Sequence, residues 1–192
     1  MRKLCVDSSL RRKSLPVRMD RGADVLGLVQ EMWKFVETNP CSGLSAIQLG
    51  VPKRICLSLV PPALVGKVHI VGSLPSLVPG EMDHFGVFIN PQIVVMDSEL
   101  VGIEVETCVS MPGVKCIVPR AIDVGIRYQT LHSPRTNTAS LNGFFARVFQ
   151  HEIDHLDGIL MSDRHMTKSE LQEVFVNAPE EILALEEEMK LL

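Results

Sequence analysis

The chain has 192 residues, 46% of them hydrophobic and 22% charged, with a net charge of −4. That length and balance fit one globular unit able to bury a core without disulfide staples, and no apolar run reaches the length of a membrane span. The acidic balance argues against nucleic-acid binding as the main activity, and five irregularly spaced cysteines with no C-x-x-C argue against a disulfide framework.

Residues 1–21 are basic but lack the apolar stretch of a secretory signal. Leu4 to Val17 reads as a strand and a turn. Residues 22–38 carry Val25, Leu28, Val29, Met32, Trp33 and Val36 at helical spacing, and Asn39-Pro40 ends that helix. A glycine-containing loop follows over 41–50, then a strand over 53–60. Residues 61–86, rich in Pro and Gly, read as a long surface excursion. Strands are expected over 88–96, 99–106, 115–120 and 121–130, with turns at Asp97-Ser98 and over 132–137. A helix is expected from Gly143 to Leu156, with Asn142 as N-cap and Gly158 as terminator. The tail, 168–192, is helical and acidic, with seven Glu against two Lys and an interruption at Pro179. The expected division is a catalytic unit over 1–167 and an acidic helical tail over 168–192.

The pentad His151-Glu152-Ile153-Asp154-His155 carries the chemistry. On a helix its two imidazoles stack on one face and can share a metal ion, with Glu152 beside a water activated there. A catalytic site of this kind takes a third protein ligand. The metallopeptidase extension that adds a third His finds Met161 at that position. Glu170 or Glu173, from a later helix, would make an endopeptidase. Cys108, within Glu106-Thr107-Cys108-Val109-Ser110, is the upstream option.

Three ordered motifs carry a resemblance to the peptide deformylases over residues 4–165. Gly43-Leu44-Ser45-Ala46-Ile47-Gln48 resembles G-x-G-x-A-A-x-Q, Glu106 to Ser110 resembles E-G-C-L-S, and Gln150 to Gly158 matches Q-H-E-x-D-H-L-x-G throughout. The resemblance implies an α+β fold, with antiparallel strands around a central metal-binding helix and a C-terminal helix appended. It implies metal-dependent removal of the N-formyl group from formyl-methionine at the N-terminus of nascent proteins. Cys108, His151 and His155 would hold one divalent ion per chain, ferrous iron first, with zinc, nickel or cobalt as substitutes. Glu152 would be the general base, and the Gln48 side chain and Val109 N–H would stabilise the oxyanion.

Gly43, Leu44, Phe144 and Val148 are expected at the substrate pocket, with Glu106 orienting a ligand. Asp154 is a further candidate for fixing the site. The partner is a formyl-methionyl peptide. Ribosome proximity would not run through the acidic tail, which has the wrong charge for RNA phosphates. No direct nucleic-acid or membrane binding is expected. The compartment would be a mitochondrion or plastid in a eukaryote, and the cytoplasm in a bacterium.

Three departures from the pattern stand out. Cys41 replaces a Gly, Ser45 replaces an Ala, and Thr107 replaces the Gly before Cys108. If position 107 needed a positive φ, Thr would displace Cys108 and the Val109 N–H. A deformylase-like protein with altered acyl substrate or little turnover would then be the alternative.

Overall fold

The computed structural model describes residues 3–6, 8–18, 22–75, 82–96 and 100–191. The chain folds as α+β. Helix α1 (Gly22–Thr38) is followed by strands β1 (Gly43–Ser45), β2 (Ile55–Leu59), β3 (His69–Pro75), β4 (Met82–Met96), β5 (Val101–Thr107), β6 (Lys115–Ala121), β7 (Asp123–Thr130) and β8 (Ser133–Asn142). Helices α2 (Gly143–Asp157), α3 (Lys168–Val174) and α4 (Pro179–Leu191) complete the order.

Two antiparallel sheets result. One runs β1-β2-β4-β7-β8, with β3 added to β4; the other is the β5-β6 hairpin. The long β4 organises the first sheet. Its residues 85–89 pair with β2 on one side, while 82–87 take β3 and 89–96 take β7 on the other. The ladder shifts register between Ile89 and Gln92, at Asn90-Pro91. Asn90 is the only non-glycine at positive φ (51°) among the described residues. Its side chain bonds Val17 N–H and carbonyl and Gln129, which holds the bulge and ties the N-terminal segment to the sheet.

Helix α1 buries Val25, Leu28, Val29, Met32 and Val36 against β1 and β2. Trp33 lies on Gly72 of β3, where a Cβ would meet the indole at 2.0 Å, and tilts against Phe85. Helix α2 is buried along most of its length and contacts β1, β2, β4, β6, β7 and β8. The amide of Gln150 fastens it to β6, accepting from Ala121 N–H at 3.2 Å and donating to Ala121 O at 2.9 Å. Gly158 ends α2 at φ 77°, with its N–H returned to His155 O at 3.2 Å. Asn142 stands at the N-cap but makes no side-chain capping bond.

Several expectations are corrected. The described residues of 4–17 form no regular strand. Ser8–Arg11 is a 3-10 turn, and Leu15 makes an isolated parallel bridge to Lys53. The 41–50 segment holds β1 and a 3-10 helix over Ala46–Leu49. The supposed excursion at 61–86 contains β3 and the start of β4, and the supposed turn at 132–137 is the start of β8. The expected turn at Asp97-Ser98 lies outside the described residues. Thr107 sits in β5 opposite Lys115 and does not have positive φ, so its side chain imposes no backbone strain on Cys108.

The tail packs on the body. Leu171, Ile182 and Leu185 join Ile117, with Ile103 and Val105 of β5 against them, and Lys115 Nζ donates to Met189 O at 2.6 Å. No helix among the described residues is long and apolar enough to cross a membrane.

Candidate metal centre

Two elements bring three ligand atoms together. The i, i+4 spacing on α2 stacks His151 and His155, and the end of β5 delivers Cys108. Cys108 Sγ lies 3.3 Å from His155 Nε2, which lies 3.1 Å from His151 Nε2. All three ligand atoms fall within 4.8 Å of one another. A four-coordinate ion with bonds of about 2.0–2.1 Å to nitrogen and 2.3 Å to sulfur separates N from N by about 3.3 Å and N from S by about 3.6 Å. The observed spacings are a few tenths of an ångström tighter, so the donors fit such an ion with a small opening. Among the described residues this is the one group of three or more such side chains arranged in this way.

Glu106 orients the first imidazole. Its Oε2 accepts from His151 Nδ1 at 2.9 Å, which directs Nε2 toward Cys108 and His155. Glu106 also accepts from Arg120 at 2.9 and 3.0 Å and from Arg147 at 2.8 Å. Burial opposes its charge, yet the bonds from His151 and Arg120 hold its carboxyl well below the usual carboxylate range. Arg120 also binds Asp154, which Arg164 caps from outside with a bond of 2.6 Å. Asp154 therefore acts on the site through Arg120 and Glu106, not by touching a ligand. Burial works against a charge on His151, but its bonds to Cys108 and Glu106 raise it to about 10. His155 shifts the opposite way, lowered by burial and by its cationic neighbour. Its Nδ1 is buried without a hydrogen-bond partner among the described residues.

Glu152 follows His151 on α2 and is only 3% exposed. Burial pushes its carboxyl up to about 7, against the downward pull of His151 and the Ser45 hydroxyl. A carboxyl in that range can both accept and return a proton near neutral pH. Strand β1 packs directly on it. A Cβ on Gly43 would meet Glu152 Oε1 at 2.5 Å, so only glycine leaves room.

Gln48 is held at both ends of its amide. Its Oε1 accepts from Ser45 N–H at 2.7 Å, and its Nε2 donates to Ser110 Oγ at 3.1 Å and faces Cys108 Sγ at 3.7 Å.

A cavity of about 350 Å³ opens on these groups. Its walls include Gly43, Gln48, Glu106, Cys108, Val109, Phe144, Val148, His151 and Glu152. Leu44 is the exception among the expected pocket residues. Alternation along β1 turns its side chain into the core beside α1, fully buried, while Gly43 and Ser45 face Glu152. Sequence reasoning missed Arg147 and Glu104, paired at 3.0 Å on the cavity wall, which Cys41 also lines. Arg147 stands four residues before His151, and that spacing could have found it. Burial and the neighbouring Glu152 push the Cys41 thiol up to about 12, which leaves it protonated. The alternative third ligands stay outside this group. Glu170 is exposed and caps α3, accepting from Thr167 N–H at 2.7 Å, and Glu173 is exposed.

A model of the polypeptide deformylase family matches residues 3–171. A peptide deformylase of Roseiflexus castenholzii is 37% identical over 150 residues, covering 78% of this chain and 77% of its own length. One from Erythrobacter litoralis is 34% identical over 174 residues, covering 86% and 88%. Among solved structures, the class I type b peptide deformylase of Acinetobacter baumannii bound to Met-Ala-Ser superposes with a TM-score of 0.70 at 25% identity, covering 85% of this chain and 98% of that one. The peptide deformylase of Thermotoga maritima gives 0.69 at 26%, covering 87% and 99%. With the cysteine and two-histidine cluster, an adjoining buried carboxyl and this family match, the chain belongs to the peptide deformylase family and is a metal-dependent hydrolase that deformylates nascent proteins.

Proposed function

We propose the following division of labour for that reaction. Cys108 at the end of β5, with His151 and His155 of the central helix α2, holds one divalent ion, ferrous iron first. When bound, the ion supplies Lewis-acid chemistry and makes a water nucleophilic near neutral pH. Glu152 takes the proton from the attacking water and hands it to the leaving amine as formate departs. The Gln48 Nε2 and the Val109 N–H stabilise the charge that develops on the formyl oxygen. Glu106, pinned by Arg120 and Arg147, keeps His151 in the required tautomer. The observation that carries this reading is the convergence of three ligand atoms on one point with Glu152 beside them at the cavity wall.

The substrate is a formyl-methionyl peptide. Strand β1 pairs with β2 alone and β5 with β6 alone among the described residues, and the cavity separates their remaining edges. An extended peptide can hydrogen-bond to such edges while its first side chain enters between Phe144 and Val148. The Met-Ala-Ser complex of the Acinetobacter baumannii protein supports a short N-terminal peptide as ligand.

Metal stoichiometry tests the ligand set. The protein purified without oxygen and loaded with iron binds about one ion per chain, and Cys108→Ala lowers retention through dialysis at least about tenfold. Full retention by Cys108→Ala, with loss in Glu170→Ala or Glu173→Ala, overturns the assignment in favour of an endopeptidase-type site.

A further inference from the structure

Ser45 replaces an alanine of the family pattern, and its surroundings give the hydroxyl a specific task. Strand β1 alternates, so Gly43 and Ser45 face α2 while Leu44 faces the core. Ser45 is fully buried. Its Oγ lies 2.7 Å from Glu152 Oε2 and 2.8 Å from the carbonyl oxygen of the same residue. Among the described residues no other side chain donates a hydrogen bond to this carboxylate. On the far side, the missing Cβ of Gly43 lets Oε1 lie flush against the strand. The backbone of Ser45 has a second task, because its N–H donates to Gln48 Oε1 at 2.7 Å. With that oxygen occupied, the amide must present Nε2 to the other side, toward Ser110 and Cys108.

We propose that Ser45 is a positioning residue for both halves of the reaction: its hydroxyl fixes the Glu152 carboxylate at the cavity wall, and its N–H fixes the orientation of the Gln48 amide. The hydroxyl is the part that the sequence adds. An alanine at position 45 retains the N–H and so keeps Gln48 in place, but removes the side-chain hydrogen bond that sets the orientation of the Glu152 carboxylate within its packed site. A buried hydrogen bond to a charged group is worth enough that its loss changes a rate by about tenfold or more. The loss falls on turnover, since the hydroxyl bonds no metal ligand and, of the cavity walls, only Glu152. The inference rests on Glu152 acting as the base.

The test uses full-length, iron-loaded protein and formyl-Met-Ala-Ser. Ser45→Ala lowers kcat about tenfold or more, with KM, metal content and the inhibition constant of the product Met-Ala-Ser unchanged within about twofold. Ser45→Thr, which restores a hydroxyl, recovers kcat to within about threefold, and thermal melts of both variants establish folding. In a Glu152→Gln background, Ser45→Ala changes the remaining rate by less than about twofold, because its effect passes through the carboxylate. Wild-type kcat in Ser45→Ala overturns the proposal, as does a loss expressed in metal content or product binding. Full activity in Glu152→Gln alone would instead overturn the base assignment, so the two failures are distinguishable.

Discussion

Gly43→Ala is the smallest change that reaches Glu152 without touching a metal ligand. The added carbon would lie 2.5 Å from Oε1 and 2.8 Å from both Cδ and Cγ of Glu152. Ordinary contact distances are about 3.5–4.0 Å between carbons, so the carboxylate must retreat by roughly 0.7–1 Å. It has little room, because it is 3% exposed and bound to Ser45 at 2.7 Å. Gly43 does not have positive φ, so the cost is contact and not backbone conformation. A displacement of about 1 Å in a catalytic group costs roughly a hundredfold in rate, equivalent to about 2.7 kcal/mol of barrier. Overpacking a filled interior adds about 1–3 kcal/mol of instability. Formate release by iron-loaded protein, beside metal analysis and a urea titration, measures rate, metal content and stability. The expected result is full metal content, modest destabilisation and a kcat about a hundredfold lower. A Gly43→Ala protein with full metal and kcat within about threefold of wild type would refute the packing argument.

Other perturbations follow from the same contacts. Glu106→Ala strips the shared carboxylate from Arg120 and Arg147, both buried, and costs about 3–5 kcal/mol in denaturant titration. It also frees His151 Nδ1, which weakens metal affinity about 10- to 100-fold by competition with a chelator. For metal-free protein the pH dependence has a definite sign. Glu152, raised to about 7, keeps in the native state a proton that the unfolded chain releases near its ordinary 4.5, so stability falls as pH rises between them. The contribution of His151, raised to about 10, is complete below its ordinary 6.5 and is lost as pH rises through 10. Below pH 6.5 the lowered His155 works the other way, so thermal melts of chelator-treated protein shift downward from pH 6.5 to 10, while iron affinity rises with pH because binding displaces the His151 proton. An upward shift for the metal-free form would contradict this. Truncation before Lys168 uncovers Ile117, Ile103 and Val105, so the body loses stability, while ribosome cosedimentation, if any, keeps its salt sensitivity. Disappearance of that cosedimentation on truncation would give the tail a docking role.

The legible parts of the chain were those whose own side chains carry the pattern. Helix α1 shows its apolar stripe, β7 its alternation, and α2 both its pentad and the terminating Gly158. Strand β8 was hidden because Leu141 is its only fully buried residue. It is an edge strand held by pairing with β7, not by its own apolar face. Strand β3 was hidden by Gly72 and Pro75, although Gly72 is there to admit Trp33. At the site, the linear motifs pointed to the three side chains that cluster and to Glu152, because spacing on one helix and one strand end sets them. The contacts between motifs were not legible. Ser45 was only a departure from the pattern until β1 laid it on Glu152, and Leu44 looked like a pocket residue until alternation turned it inward. Thr107 looked harmful only under a backbone conformation that β5 does not adopt.

The most direct measurement is formate release from formyl-Met-Ala-Ser by iron-loaded protein, with Glu152→Gln at equal metal content beside it. Rapid release by the wild type and a loss of at least about a hundredfold in the variant are the predicted results. Undiminished release by Glu152→Gln with metal in place would contradict the central role given to that carboxylate.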